Sequence, residues 1–600
     1  MARVAEKSAR AMGMAIRAPG NVARVAVLAI AALAMPAAAA QAEDLAALMR
    51  DYWAWVLAEN PVLATSVGVR DYDEELRDVS LVAEDRREHE ARAFLARLDA
   101  IPAETLAGED GVSREVLRRL LAEAIAANAF GQRTQLFNTY SGWHQDFADL
   151  STRVPLRTNA DFASYVARLA KYPALNDAAM AVGDAAIAGG YTLPCAVLDG
   201  FETTISGVIA ADPRESRFFE PFRRPRPAGM SASDFDAFAN AASRIIESTL
   251  NPAYEKHLNW YSRRYRPACR DEVGVSAQPR GGEYYAFRIR QATTTDLDAE
   301  AIHRLGLAEV ERIGAEMNQV AARAGFPARA AFIAELRTHP KHFVDSPEAL
   351  MQAVARQLKS IDGLMPTLFG TLPRLPYGIR EIPAEIAPGT TTAYYNAGSP
   401  QTGIAGTYYV NTSKLDQRPL WEIPALSLHE AVPGHHHQIA LQQELELPEF
   451  RKHGAFFTAF VEGWGLYAER LGIEMGIYDT PEKEMGRLSY EMWRACRLVV
   501  DTGIHAMGWS KQQAVEFLRN HTALTDANIE AEVNRYISWP AQALAYKLGE
   551  LKIRELRGRA EAALGPRFAL RAFHDAVLAN GAVPLDVLEA EIDAWIGREL

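Results

Sequence analysis

"HEAVPGHHHQ" spans residues 429 to 438 and decides how the rest of the chain is read. The common zinc-binding form H-E-x-x-H sets two histidines one helical turn apart with a glutamate beside them. Here the fifth position is Pro433, and the next histidines are His435, His436 and His437. On an unbroken helix His435 would lie about 240° around and roughly 9 Å along from His429, and His436 roughly 10 Å along, so neither could share an ion with it. Pro433 has no N–H, its ring collides with the carbonyl of residue 429, and Gly434 tolerates unusual dihedrals. An interruption of the helix at 431 to 434 is therefore predicted, and looping out two residues returns His435 to within one turn of His429. Spacing alone does not choose between His435 and His436.

A catalytic zinc needs a third protein ligand. "FFTAFVEGWGLYAERLG" (456 to 472) supplies Glu462 on an apolar helix beside two glycines, a carboxylate in need of a partner. An exposed helix face fits Glu469, two turns on, better than Glu462, and at the site Glu469 is expected behind the ligands rather than among them. The apolar approach "LWEIPALSLHEA" puts the cluster inside the protein, which favours a metal site over a solvated histidine-rich loop.

The 600 residues are 49 % hydrophobic and 23 % charged, with a net charge of −12, which describes a globular chain with ample core. No basic cluster interleaved with aromatics occurs, so no nucleic-acid partner is expected. Five basic residues precede an apolar run from Val25 to Ala40 that ends in "AAAAQAED", the pattern of a secretory signal peptide cleaved after Ala42. The run is too short and too interrupted by Pro36 to span a bilayer, so no stable membrane anchor is expected after cleavage. No cysteine stands beside the cleavage site, which indicates a soluble exported protein in the periplasm of a Gram-negative bacterium rather than a lipid-anchored one. The three cysteines, Cys195, Cys269 and Cys496, permit at most one disulfide.

Residues 43–285 carry helical periodicity and read as an N-terminal helical scaffold, and residues 286–600 as a C-terminal metallohydrolase half, the two forming one compact unit with a cleft. "YYAFRI" (284 to 289) reads as a short strand. Thr295 with Asp298 reads as a capping box ahead of a helix carrying Ile302, Leu305, Val310, Ile313, Met317 and Val320, stopped by Gly325 and Pro327. "TTAYYNAGSPQTGIAGTYYVNTSKL" (391 to 415) reads as two strands joined by a loop. The fold expected is mainly α, a large helical body about two-thirds helix, with a small antiparallel sheet next to the zinc-binding helix.

"HEAVPGHHHQ", "FVEGWGLYAERLG", "CRLVVDTGIHAMGWSKQQA" and "WPAQALAYKLGELKI" together resemble the bacterial family of domain of unknown function 885, from about residue 60 to the end. That family is in turn similar to the helical gluzincin metallopeptidases. The resemblance implies one zinc per chain held by His429, His435 and Glu462, with Glu430 as general base. It leaves His436 and His437 as residues of the pocket or of the layer behind the ligands, and Gln438 as a residue that orients a ligand.

The chemistry that follows is hydrolysis: zinc lowers the pKa of a water, Glu430 accepts its proton, and a tetrahedral oxyanion then needs donors. Candidates are His505, Tyr536 and Tyr546, because helical gluzincins use His and Tyr there. Tyr408 and Asn411, in "GTYYVN" (406 to 411), fit an edge strand able to pair with an extended peptide. Arg535 or Lys547, if inward-facing, would hold a peptide C-terminal carboxylate. The expected substrate is a short peptide. A non-peptide amide or ester, or a catalytically inactive metal- or peptide-binding role, are the alternatives.

Overall fold

Apolar residues recurring every three or four positions between Gly and Pro breaks dictate helices, and the computed structural model, which describes residues 44–383, 387 and 391–600, is 68 % helical. The expected signal peptide, residues 1–42, lies outside the described residues. The longest helix, Asn159–Gly189, begins with a reciprocal capping box between Thr158 and Asp161 and ends at Gly190 with φ +75°. Around it an aromatic-rich core gathers Phe137, Trp143, Tyr172, Tyr254 and Trp260.

Seven helices build the region of interest. α1 is Ala299–Arg323, α2 Ile423–Glu430, α3 His435–Glu444 and α4 Thr458–Leu471; α5 is Pro481–Ala506, α6 Asp526–Ser538 and α7 Ala545–Leu564. α1 buries Ile302, Val310, Ile313, Met317 and Val320 and is followed by Gly325 at φ +83°, as the periodicity predicts. Its cap is Asp298, whose carboxylate accepts from Ala301 N at 2.7 Å. Thr295 takes no part in a capping box, because its hydroxyl is engaged with that of Thr293 at 2.9 Å.

α4 and α7 cross with backbones in contact, since a Cβ on Gly549 would stand 1.9 Å from Ala459 O and one on Gly463 2.5 Å from the Gly549 Cα. Any larger residue at either glycine would overpack the crossing, at a cost of about 1–3 kcal/mol.

The stretch expected as the strand "YYAFRI" lies instead in the helix Gly281–Thr293. Tyr285, Ile289 and Ala292 fall at i, i+4 and i+7 and are buried together, so tertiary packing overrides the β preference of aromatic and β-branched residues. Strands β1 (Tyr377–Glu381), β2 (Ala393–Asn396) and β3 (Gly406–Val410) form one small sheet in the order β1-β3-β2. β2 and β3 pair antiparallel as expected, but β1 adds to β3 in parallel, so the sheet is mixed. β3 is therefore its centre: Tyr408 faces Ile379 on one side and Tyr395 on the other. The expected edge strand is not an edge, and β3 has no free side for a peptide. The face carrying Tyr408 and Val410 packs on Ile423, Ala425 and Leu426 of α2.

Cys195 and Cys269 form a disulfide, while Cys496 is free and buried.

Candidate metal centre

Every residue of α2 is buried, so the helix delivers its last two residues, His429 and Glu430, into the interior. The helix ends there. Ala431 leaves helical dihedrals at φ −105°, ψ −105°, the Val432-Pro433 bond is cis, and helix resumes at His435. Trp464 of α4 donates its indole N–H to Pro433 O at 2.8 Å and clamps the interruption. Gly434 is obligatory, because a Cβ there would lie 1.8 Å from His429 O.

The interruption brings His435 back beside His429, with ring centroids 4.7 Å apart and planes at 84°. Glu462 rises from α4 between them, its Oε2 3.5 Å from His429 Nε2 and 3.4 Å from His435 Nε2. One donor atom from each residue lies within 4.8 Å of the other two. Gly465, one turn beyond Glu462, makes room for the His429 ring, which a Cβ would approach to 2.7 Å.

The electrostatics of the cluster fit a cation. Burial alone would lower the His429 imidazolium, but Glu462, Glu469 and the Glu430 charge outweigh it and hold its pKa up at about 9. Burial alone would raise the Glu462 carboxyl, but His435 and His429 hold it well below its usual range. Glu462 Oε2 and His435 Nδ1 have no hydrogen-bond partner. A largely buried carboxylate facing two imidazole nitrogens, with donor atoms left open, is suited to a divalent ion with N and O ligands.

Glu469 is 1 % exposed and does not lie on an exposed helix face. Its Oε1 stands 2.8 Å from His429 Nδ1 and 3.1 Å from Arg494 Nη2 of α5. It thus holds the His429 ring through Nδ1, the ring nitrogen turned away from Glu462 and His435. Gln438, expected in that role, donates its amide to Gln442 at 2.9 Å instead. His436 turns toward the sheet, where its Nδ1 meets the Tyr395 hydroxyl at 2.9 Å. His437 is buried against Phe369, with neither ring nitrogen hydrogen-bonded.

Of the oxyanion candidates, Tyr546 alone stands by the cluster, its ring 6.4 Å from His429 and nearly parallel at 16°. His505 is corrected to a structural residue: its Nδ1 accepts from Val275 N at 3.0 Å and its Nε2–H donates to Tyr536 O at 2.8 Å, leaving no donor to spare. Tyr536 is likewise spent, donating to Glu532 at 2.7 Å and accepting from Trp493 and Arg497, each at 3.1 Å.

The substrate-binding candidates divide in the same way. Tyr408 is buried in the central strand, and the Asn411 amide donates to Ala387 O and Thr391 O, knitting the loop. Lys547 is wholly buried among Glu309, Glu491 and Glu550, each at 2.9 Å, so it has no charge to offer a substrate. Arg535 remains, 5.9 Å from the Tyr546 ring. Sequence reasoning passed over Arg494 and Arg497, although two arginines three apart in the apolar run "WRACRLVV" are a sign of buried partners.

Residues 61–592 match the family model described as "Bacterial protein of unknown function (DUF885)". The chain belongs to the DUF885 family. The crystal structure of the "putative lipoprotein" from Colwellia psychrerythraea is similar to this DUF885 chain at 27 % identity and a TM-score of 0.88, covering 93 % of this chain and 100 % of that one. The structure of a "putative lipoprotein of unknown function" from Shewanella oneidensis shares the fold, at 18 % identity and a TM-score of 0.67 over 91 % of this chain and 99 % of that one. No curated protein matches this DUF885 chain.

Proposed function

We propose that the chain is an exported zinc-dependent hydrolase of short peptides, similar in its site to the helical gluzincins. The observation that carries this reading is the convergence of His429, His435 and Glu462 on one point, with Glu430 next to the first ligand. Zinc bound there would supply Lewis acidity, lowering the pKa of a water and polarising a carbonyl. Glu430, 9 % exposed at the end of α2, would hold the proton taken from the water and return it to the leaving nitrogen. Tyr546 would donate its phenol to the oxygen on which negative charge develops. Glu469 and Arg494 would keep the His429 ring in place, and Trp464 would hold the interruption that aims His435.

Export is supported by the signal-peptide pattern, by the Cys195–Cys269 disulfide, a bond of oxidising compartments, and by the lipoprotein descriptions of both structural relatives. Among the described residues no helix is long and apolar enough to cross a membrane.

The reading is tested by elemental analysis of the purified chain together with cleavage of a peptide library. One zinc per chain is expected in wild type and in Glu430→Gln, and close to none in His435→Ala. Peptide cleavage is expected in wild type, with a loss of about 10²–10⁴-fold in Glu430→Gln. Zinc-dependent turnover of a non-peptide amide or ester, with every peptide untouched, would replace the substrate class and keep the site. Full activity in Glu430→Gln would sink the mechanism.

A further inference from the structure

Tyr546 has a second set of neighbours besides His429. The guanidinium of Arg497 lies 4.3 Å from its ring centroid and that of Arg535 5.9 Å. Both arginines are buried, 2 % and 8 % exposed. Among the described residues they share one carboxylate at ion-pair distance, that of Glu532, at 3.1 Å from Arg497 and 3.3 Å from Arg535. Glu532 also accepts the Tyr536 hydroxyl.

The other acid nearby, Asp501, is engaged by the Tyr285 hydroxyl at 2.6 Å and by Ala541 N at 3.1 Å. Burial pushes its carboxyl up, and it forms no ion pair with either arginine. Two guanidiniums against one full carboxylate leave a buried positive excess, which is costly unless something else neutralises it. Arg497 Nη1 and Arg535 Nε have no hydrogen-bond partner.

This excess has an open side. Tyr140, whose ring is 5.8 Å from Arg535, is 47 % exposed, so the arginine pair lies one aromatic ring from solvent. We infer that Arg535, backed by Arg497 and flanked by Tyr140 and Tyr546, is a carboxylate-binding subsite, so that the chain acts on peptides with a free C-terminus. Arg535 Nη1 and Nη2 already donate to Glu532 and Gln542, so the donors open to a carboxylate are Arg535 Nε and Arg497 Nη1, and the Tyr rings frame them. The subsite stands one tyrosine ring away from His429, a reach of about three extended residues at most, so cleavage falls one to three residues from the C-terminus. The inference takes its substrate class from the peptidase reading, but the subsite itself does not depend on catalysis.

The test pairs one N-acetylated pentapeptide as free acid with the same peptide as C-terminal amide. Binding is measured by calorimetry on the zinc-loaded full chain carrying Glu430→Gln, and cleavage on the wild type. The free acid is expected to bind at least tenfold more tightly than the amide and to lose one to three C-terminal residues. Adding Arg535→Gln abolishes the preference, and Arg535→Lys restores part of it. Arg535→Gln leaves Arg497 balanced by Glu532, and the acid-to-amide comparison itself needs no change at Arg535. Equal binding of acid and amide, or a preference that survives Arg535→Gln, overturns the subsite. Equal binding with both peptides cleaved does so while leaving the peptidase reading intact. Tighter binding of the acid with neither peptide cleaved supports the subsite and overturns the peptidase reading, and binding of neither overturns both.

Discussion

Gly465 lies directly against the imidazole of His429: a methyl group there would stand 2.7 Å from Cε1 and 2.9 Å from Nε2. Helix α4 therefore contributes a carboxylate, Glu462, and one turn later an absence of side chain that lets the His429 ring reach it.

Gly465→Ala is expected to push the His429 ring out of the cluster while leaving the helix intact, since alanine favours helix. Metal titration should show at least a tenfold loss of zinc affinity, with thermal unfolding reporting about 1–3 kcal/mol of overpacking. Unchanged zinc affinity would mean that the ring has freedom the packing denies it.

Glu469→Gln keeps the shape of the side chain and removes the charge facing His429 Nδ1 and Arg494. Zinc affinity is expected to fall about 10–100-fold, the usual cost of removing a carboxylate that orients a ligand histidine. A competition assay against a chelator measures it. An affinity equal to wild type would return Glu469 to a purely structural role.

Tyr546→Phe and Tyr536→Phe should separate cleanly. The first is expected to lower kcat by about 10²–10³-fold with KM and unfolding temperature little changed, as for loss of an oxyanion donor. The second strands Glu532, Trp493 and Arg497 and should destabilise the fold by about 1–3 kcal/mol. Steady-state kinetics beside calorimetric unfolding distinguishes them, and a kcat unaffected by Tyr546→Phe would remove that tyrosine from the chemistry.

The chain should be acid-labile. Burial holds the His505 imidazolium down at about 4, and His574 likewise at about 4, whereas an unfolded histidine takes its proton near 6.5. Between those values the unfolded state binds more protons than the folded one, so stability is full above about pH 6.5 and falls as the pH drops toward 4. For His505 alone the loss reaches about 3 kcal/mol. Unfolding temperatures that stay flat from pH 7 to 4 would contradict it.

The parts of the site carried by local chemistry were legible in the sequence. Pro433 and Gly434 announce the interruption, and Glu462 is marked by its apolar surroundings and flanking glycines. The parts set by tertiary partners were not. Whether Glu469 faces solvent or His429 depends on which helix covers α4, and Lys547, Tyr536 and His505 look like site residues until their buried partners, far away in the chain, are known. β1 was missed because five residues, none of them buried and one a glycine, carry little periodicity, and without β1 the central strand reads as an edge. "YYAFRI" has strand composition, and only the surfaces it packs against make it a helix.

Lys547 follows Tyr546 on α7, about 100° further around the helix, and its ammonium is locked between Glu309 of α1, Glu491 of α5 and Glu550 of α7. A cation pinned to two other helices works as an index peg that sets the angle of α7 about its own axis, and with it the direction in which the Tyr546 ring faces His429.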